Sequence, residues 1–150
     1  MIARVIKLGF LGLEVARFDE MTDHYARVLG LTRTFDAPGE ARFACGGDAA
    51  AILMHKGSDP GARSIGLVVP SDEDLSGIVT RARASGLRAE LKSDHFQFIP
   101  VCVEITDLDG NTIFLYQDPA PARMGNTGAG IQPLKLGHTA FFVKDAQESA

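Results

Sequence analysis

The chain writes one strand three times, and that repetition constrains its fold more than any other feature. Lys7-Leu8-Gly9-Phe10-Leu11-Gly12-Leu13-Glu14-Val15 returns as Lys135-Leu136-Gly137-His138-Thr139-Ala140-Phe141-Phe142-Val143. A looser copy, Arg63-Ser64-Ile65-Gly66-Leu67-Val68-Val69, lies between them. Aligned, the copies put Phe10, Ser64 and His138 at one position. The segments downstream of the first two copies repeat as well. After the first, Phe18, Met21, Tyr25, Val28 and Leu29 recur at three- and four-residue steps before Gly30, which predicts a helix. Short strands are expected at 31–35, 41–45 and 49–54, separated by Asp36-Ala37-Pro38-Gly39 and Gly46-Gly47-Asp48, which have turn chemistry.

After the second copy, Ser71 with Asp74 resembles a capping box. Leu75, Ile78, Val79 and Ala82 then share a helix face that stops at Gly86. Strands are expected at 87–91, 99–105 and 112–116, the last two joined by Asp107-Leu108-Asp109-Gly110-Asn111. The order is βαβββ twice. Neither unit can bury a sheet face alone, so the expected fold is α+β, with two tandem βαβββ units forming one domain. Residues 118–134, rich in Pro, Gly and small polar residues, read as a linker. The third copy then begins a third unit, with Asp145 and Glu148 capping its helix. That unit is expected to be cut short at Ala150, the alternative being a tail that pairs with its own first domain.

Composition removes several function classes. The 150 residues carry a net charge of −4 with the basic residues scattered, which argues against a nucleic-acid or anionic-membrane surface. No apolar run reaches the roughly 20 residues of a membrane span, and the start lacks a signal peptide's apolar core, so a cytoplasmic protein is expected. Cys45 and Cys102 have no CxxC spacing and read as reduced core thiols.

The repeat offers a geometric test for a metal site. Open-faced Fe(II) or Mn(II) centres want two imidazoles and one carboxylate. Paired units of this kind would focus ligands from equivalent places on their first and last strands. Those places hold Phe10 and Leu53 in the first unit and Ser64 and Phe114 in the second. None binds such a cation well, so this domain is expected to be metal-free. His24 reads as a solvated helix residue, His55 as a strand-end residue just beyond the ligand place, and His95 as a loop residue. Asp107 and Asp109 read as turn formers rather than an acid pair. His138 is the exception, replacing an aromatic at the ligand register, and is the candidate metal ligand of the chain.

Tandem βαβββ units, the helix end His24-Tyr25-Ala26-Arg27-Val28-Leu29-Gly30-Leu31 and the segment Asp107-Leu108-Asp109-Gly110-Asn111-Thr112-Ile113 resemble the vicinal oxygen chelate superfamily of glyoxalases, bleomycin-resistance proteins and extradiol dioxygenases. Within it, the chain is most similar to the N-terminal part of two-domain extradiol ring-cleaving dioxygenases. There a metal-free first domain precedes a catalytic one that opens on a Gly-His strand, as Gly137-His138 does here. The resemblance implies a metal-free domain over 1–117, a linker over 118–134 and the start of a catalytic domain over 135–150. It implies Fe(II), less often Mn(II), in the full-length parent, chelating a catechol's two oxygens with O2 alongside. No metal is expected on this chain, which should be inactive alone, and a homo-oligomer is expected. Two departures stand out. Arg17 occupies the usual helix-cap place, with Asp19 as the substitute, and Phe114 stands where active members carry a Glu.

Two other readings remain open. One is a stand-alone, metal-free ligand-sequestering protein of bleomycin-resistance type. The other is a glyoxalase-like metal enzyme using His55 and His138 across a dimer. In any of these cases Thr139-Ala140-Phe141-Phe142-Val143, uncharged and of high β tendency, is expected to dock on a sheet edge.

Overall fold

A computed structural model of the chain describes residues 1–46, 48–118, 130–140 and 144. Among them are eight strands and two helices, in the order β1 (Lys7–Val15), α1 (Phe18–Arg27), β2 (Thr32–Ala37), β3 (Glu40–Cys45), β4 (Asp48–Lys56), β5 (Gly61–Val69), α2 (Leu75–Ala84), β6 (Arg88–Phe96), β7 (Ile99–Thr106) and β8 (Thr112–Gln117). The fold is α+β with βαβββ written twice. The chain divides into two compact units, one holding residues 9–63 with 130–136, the other holding 1–8 and 64–118 with 137–140.

In the α1 unit, β1 pairs in parallel with β4, matching Leu11 to Ile52 and Gly12 to Leu53. β4 pairs antiparallel with β3, and β3 with β2. A parallel pair cannot be closed by a tight turn, so α1 and the β2–β3 hairpin carry the chain round. The helix covers one sheet face. Phe18, Phe43, Ile52 and Met54 form its core, with Leu11, Leu13, Met21 and Tyr25 packed around them. The Tyr25 and Phe43 rings lie 5.8 Å apart.

The α2 unit has the same plan. β5 pairs in parallel with β8, β8 antiparallel with β7, and β7 with β6. Ile78 and Ala82, both fully buried, meet Val69, Val103, Ile105 and Leu115 under the helix. The first residues of the chain belong to this unit. Ile2 and Ala3 pack on its core, Ile6 N–H donates to Val68 O (2.8 Å) and Arg81 Nε donates to Ile2 O (2.7 Å). The Glu73 carboxylate, side chain 11% exposed, accepts from both Arg81 (2.8 Å) and Arg4 (2.9 Å), and so ties that segment to the helix. Because Glu73 is sheltered, this pair is worth more than the exposed Arg4–Asp72 contact beside it.

The helix ends depart from the sequence reading. α2 is capped by Asp74, whose carboxylate accepts from Ser76 N–H (3.0 Å), so the helix starts later than a Ser71 cap would have it. The Ser71 carbonyl instead accepts from the Gln117 side chain (2.9 Å). α1 has Arg17 at its cap position with no side-chain cap bond, and Asp19 lies inside the first turn rather than at the cap. Its two first-turn carboxylates, Asp19 and Glu20, favour the positive end of the helix dipole instead. Both helices stop at the expected glycines, Gly30 and Gly86, at φ of 72° and 82°.

The third copy does not form the expected strand over its described part. Residues 135–140 lie in no strand. Thr139 and Ala140, the first two residues of the expected edge-docking segment, are in no strand; its residues 141–143, and the expected cap at Asp145 and Glu148, are outside the described residues. Just upstream, Ile131 and Gln132 give their amides to the Val28 and Leu29 carbonyls past the end of α1, and Leu136 packs on the core of the α1 unit. No described helix is long and apolar enough to cross a membrane.

The two cores predict a clear contrast. Ile78→Ala should lower stability by about 2–5 kcal/mol through lost burial and a residual cavity. Val28→Ala, at a side chain 48% exposed, should stay within about 0.5 kcal/mol. Urea unfolding of the two variants checks both.

Candidate functional site

Strand alternation sends the residues between the core positions to the sheet face away from each helix. In the α1 unit Leu11, Leu13, Ile52 and Met54 face the helix, so Phe10 and Leu53 lie on the opposite face. In the α2 unit Leu67, Val69, Ile113 and Leu115 face the helix, leaving Ser64, Gly66 and Phe114 opposite. The ladder registers make the two faces equivalent. Leu53 is matched to Gly12, two residues after Phe10, and Phe114 is matched to Gly66, two residues after Ser64. The four places picked from the repeat are therefore structurally corresponding positions, unit by unit.

Their chemistry does not fit a metal ion. Iron or manganese needs imidazole nitrogens or carboxylate oxygens at the first shell. Phe10, Leu53 and Phe114 have none, and all three are buried, at 0%, 6% and 5% exposure. Ser64 offers a neutral hydroxyl on a half-buried strand position. No described cluster of three or more His, Cys, Asp or Glu side chains could hold a metal ion.

One histidine sits where the sequence did not put it. His95, read as a loop residue, lies in β6, and its ring stacks on Phe114 with centroids 5.2 Å apart and planes 27° from parallel. Phe96 meets both rings edge-on, at 4.6 and 4.9 Å. The device that turns the chain is a register shift between Ser93 and Phe96, with Asp94 at φ 56°. The alternation His95-Phe96-Gln97-Phe98 was the available signal. The polar Lys92-Ser93-Asp94 before it hid the strand, because a bulge on an outer strand tolerates residues that a central strand would not.

The other histidines are dispersed. His24 is exposed on α1, edge-on to Tyr25. His55 is exposed at the end of β4, matched to Glu14 on β1 and to Glu40 on β3. Glu14 is already engaged by Asp59 N–H (2.9 Å) and Arg63 Nε (3.2 Å). His138 is exposed and lies outside any strand. The cysteines are both buried and unpaired in disulfides. Burial, reinforced by Glu104, pushes the Cys102 thiol up to about 11, and burial with Asp48 nearby raises Cys45 as well. Neither thiol is an activated nucleophile.

Asp107 is a turn former, as its neighbours suggested. Its carboxylate accepts from Asp109 N–H (2.9 Å), Asn111 N–H (2.7 Å) and the Asn111 side chain (2.7 Å). Burial works to raise its pKa, but these hydrogen bonds outweigh it and hold the carboxyl below the ordinary value.

A family model described as the Glyoxalase/Bleomycin resistance protein/Dioxygenase superfamily matches residues 7–115. Among solved structures, the chain is similar to homoprotocatechuate 2,3-dioxygenase from Brevibacterium fuscum, with 15% identity and a TM-score of 0.73 over 80% of this chain and 34% of that one. It is also similar to the 2,3-dioxygenase LapB from Pseudomonas sp. KL28, with 22% identity and a TM-score of 0.78 over 92% of this chain and 53% of that one. At these identities the likeness is one of fold, and the chain spans between about a third and a half of these neighbours' length. A sequence search of curated proteins finds no match.

The Asp107 turn carries a pH prediction. A depressed folded-state pKa adds stability that is complete above the unfolded carboxylate value of about 3.9 and is lost as pH falls through the folded value. Asp107→Ala should therefore be less stable than the parent at neutral pH, and the gap should close on acidification below about pH 4. Thermal unfolding of both proteins across that range measures it.

Proposed function

The chain belongs to the glyoxalase/bleomycin resistance protein/dioxygenase superfamily, and from that premise we propose that it is the non-catalytic N-terminal part of an extradiol dioxygenase that cleaves catecholic rings with O2. The observation that carries this reading is the pair of vacated ligand registers. The two units share one register, with Gly12 against Leu53 and Gly66 against Phe114, while Phe10, Leu53 and Phe114 are hydrocarbon and Ser64 brings only a neutral hydroxyl to the places that would hold a metal. A domain that keeps the scaffold and discards the donors serves as support rather than as the reaction centre. The partial coverage of both dioxygenase neighbours supports the same assignment.

In this reading the metal of the full-length enzyme is Fe(II), with Mn(II) as the substitute. It is held by residues that follow β8 in the chain, with His138 as the first of its ligands. When bound, that metal would supply adjacent coordination positions for the two catechol oxygens and for O2. The side chains of α1, α2 and β1–β8 take no part in that chemistry. The enzyme is cytoplasmic and homo-oligomeric, and its substrate is a small catechol. The exposure of His138 is compatible with this role, since a ligand that waits for partners on other elements need not be buried by the units described.

The test is to extend the chain by a further domain of roughly 150 residues and load it anaerobically with Fe(II). The extended protein should hold iron, consume O2 with a catechol and form the ring-opened product. His138→Ala in that protein should lose the iron, read by metal analysis independently of turnover. An extended, iron-loaded protein that ignores catechols, or one that keeps its iron in the His138→Ala form, would contradict the reading.

A further inference from the structure

Residues 130–136 are the end of a compositional linker and the start of a repeated strand, yet the structure engages them one after another on the α1 unit. Ile131 N–H donates to Val28 O (3.0 Å) and Gln132 N–H to Leu29 O (2.9 Å). These carbonyls lie just past the last turn of α1, where the helix has no further amides to offer them. Cys45 Sγ donates to Pro133 O (3.1 Å) at the end of β3, and Leu136 packs against the core beneath α1. Two glycines permit the approach. Gly130, at φ 70°, sits so close to Val28 O and Arg27 O that a Cβ would collide with both. Gly46, at φ 60°, has no room for a Cβ because the Leu134 carbonyl lies against it. Both conformations are left-handed, so any other residue would be strained at either place as well as obstructed.

We propose that residues 130–136 are a strap that completes the α1 unit, closing the C-terminal end of its helix and covering Cys45, and that the strap opens locally while the rest of the fold stays intact. Its composition gives it few buried apolar anchors. Ile131 and Leu134 are 70% and 80% exposed, so Leu136 and the hydrogen bonds hold it. A segment with so little buried apolar surface belongs to the low-stability end of a structure, where sub-global opening occurs. Residues 9–63 alone therefore leave the end of α1 without these partners. These contacts are independent of the proposed catalytic role.

The two cysteines supply the assay, because only Cys45 lies under the strap while Cys102, in the α2 unit, is fully buried without it. The full chain is treated with a thiol-reactive aryl disulfide under native conditions, and labelling of each cysteine is followed by peptide mass spectrometry. Gly130→Ala should raise the labelling rate of Cys45 about tenfold or more and leave that of Cys102 unchanged. Leu136→Ala, which introduces no backbone strain, should shift Cys45 in the same direction. Hydrogen exchange at the Ile131 and Gln132 amides should speed up in both variants. Unchanged Cys45 labelling in both variants, or equal acceleration of both cysteines, would overturn the proposal.

Discussion

The parallel pairing of the first and last strand of each repeat is the constraint on which the rest of the structure depends. β1 with β4, and β5 with β8, can be neighbours only if the chain between them makes a long return, and in both cases one helix and an antiparallel hairpin provide it. That return covers a single sheet face, since each unit has one helix. The covered face becomes the apolar core, built on Phe43 and Met54 in one unit and on Ile78 and Val103 in the other. The second face is where chemistry could sit, and the two-residue period of a strand decides which side chains reach it.

Of the four corresponding side chains that reach it, three are hydrocarbon and the fourth is the Ser64 hydroxyl. Phe10, Leu53 and Phe114 occupy the corresponding places, and the stacking of His95 and Phe96 on Phe114 turns one of them into an aromatic cluster. An imidazole held face to face with a phenyl ring, on a strand whose register is set by a bulge, contributes to packing. The superfamily fold is thus present here without an imidazole or carboxylate at these four positions. Fold and reaction are separable in this way because the donors are a few side chains on one face, while the pairing and the core lie elsewhere.

Much of this was legible in the sequence, for identifiable reasons. The elements were readable because Leu75, Ile78, Val79 and Ala82 repeat with a helical period, and because Gly30 and Gly86 sit where helices must stop. The equivalence of Phe10 with Ser64 and of Leu53 with Phe114 was readable because the strand is written more than once. The misses share a physical cause, which is tertiary context overriding a local pattern. Ser71 has the chemistry of a cap, but its carbonyl is taken by Gln117 while Asp74 supplies the cap bond. His95 sits in polar surroundings, but a bulge lays it on Phe114. Leu136 belongs to a repeated strand motif, but the chain around it is held on α1. A capping carbonyl, a bulge and a docked segment are all long-range facts that no local window contains.

Centrally, three of the four corresponding positions on the sheet faces away from the helices carry hydrocarbon side chains and the fourth only the Ser64 hydroxyl, so the α1 and α2 units offer a metal ion no imidazole or carboxylate there. Anaerobic equilibrium dialysis of the purified 150-residue chain against Fe(II), with iron measured per chain, tests this most directly. The expected result is binding far below one iron per chain, unchanged when Ser64 is replaced by alanine. Stoichiometric, tightly held iron that is lost in Ser64→Ala would contradict it.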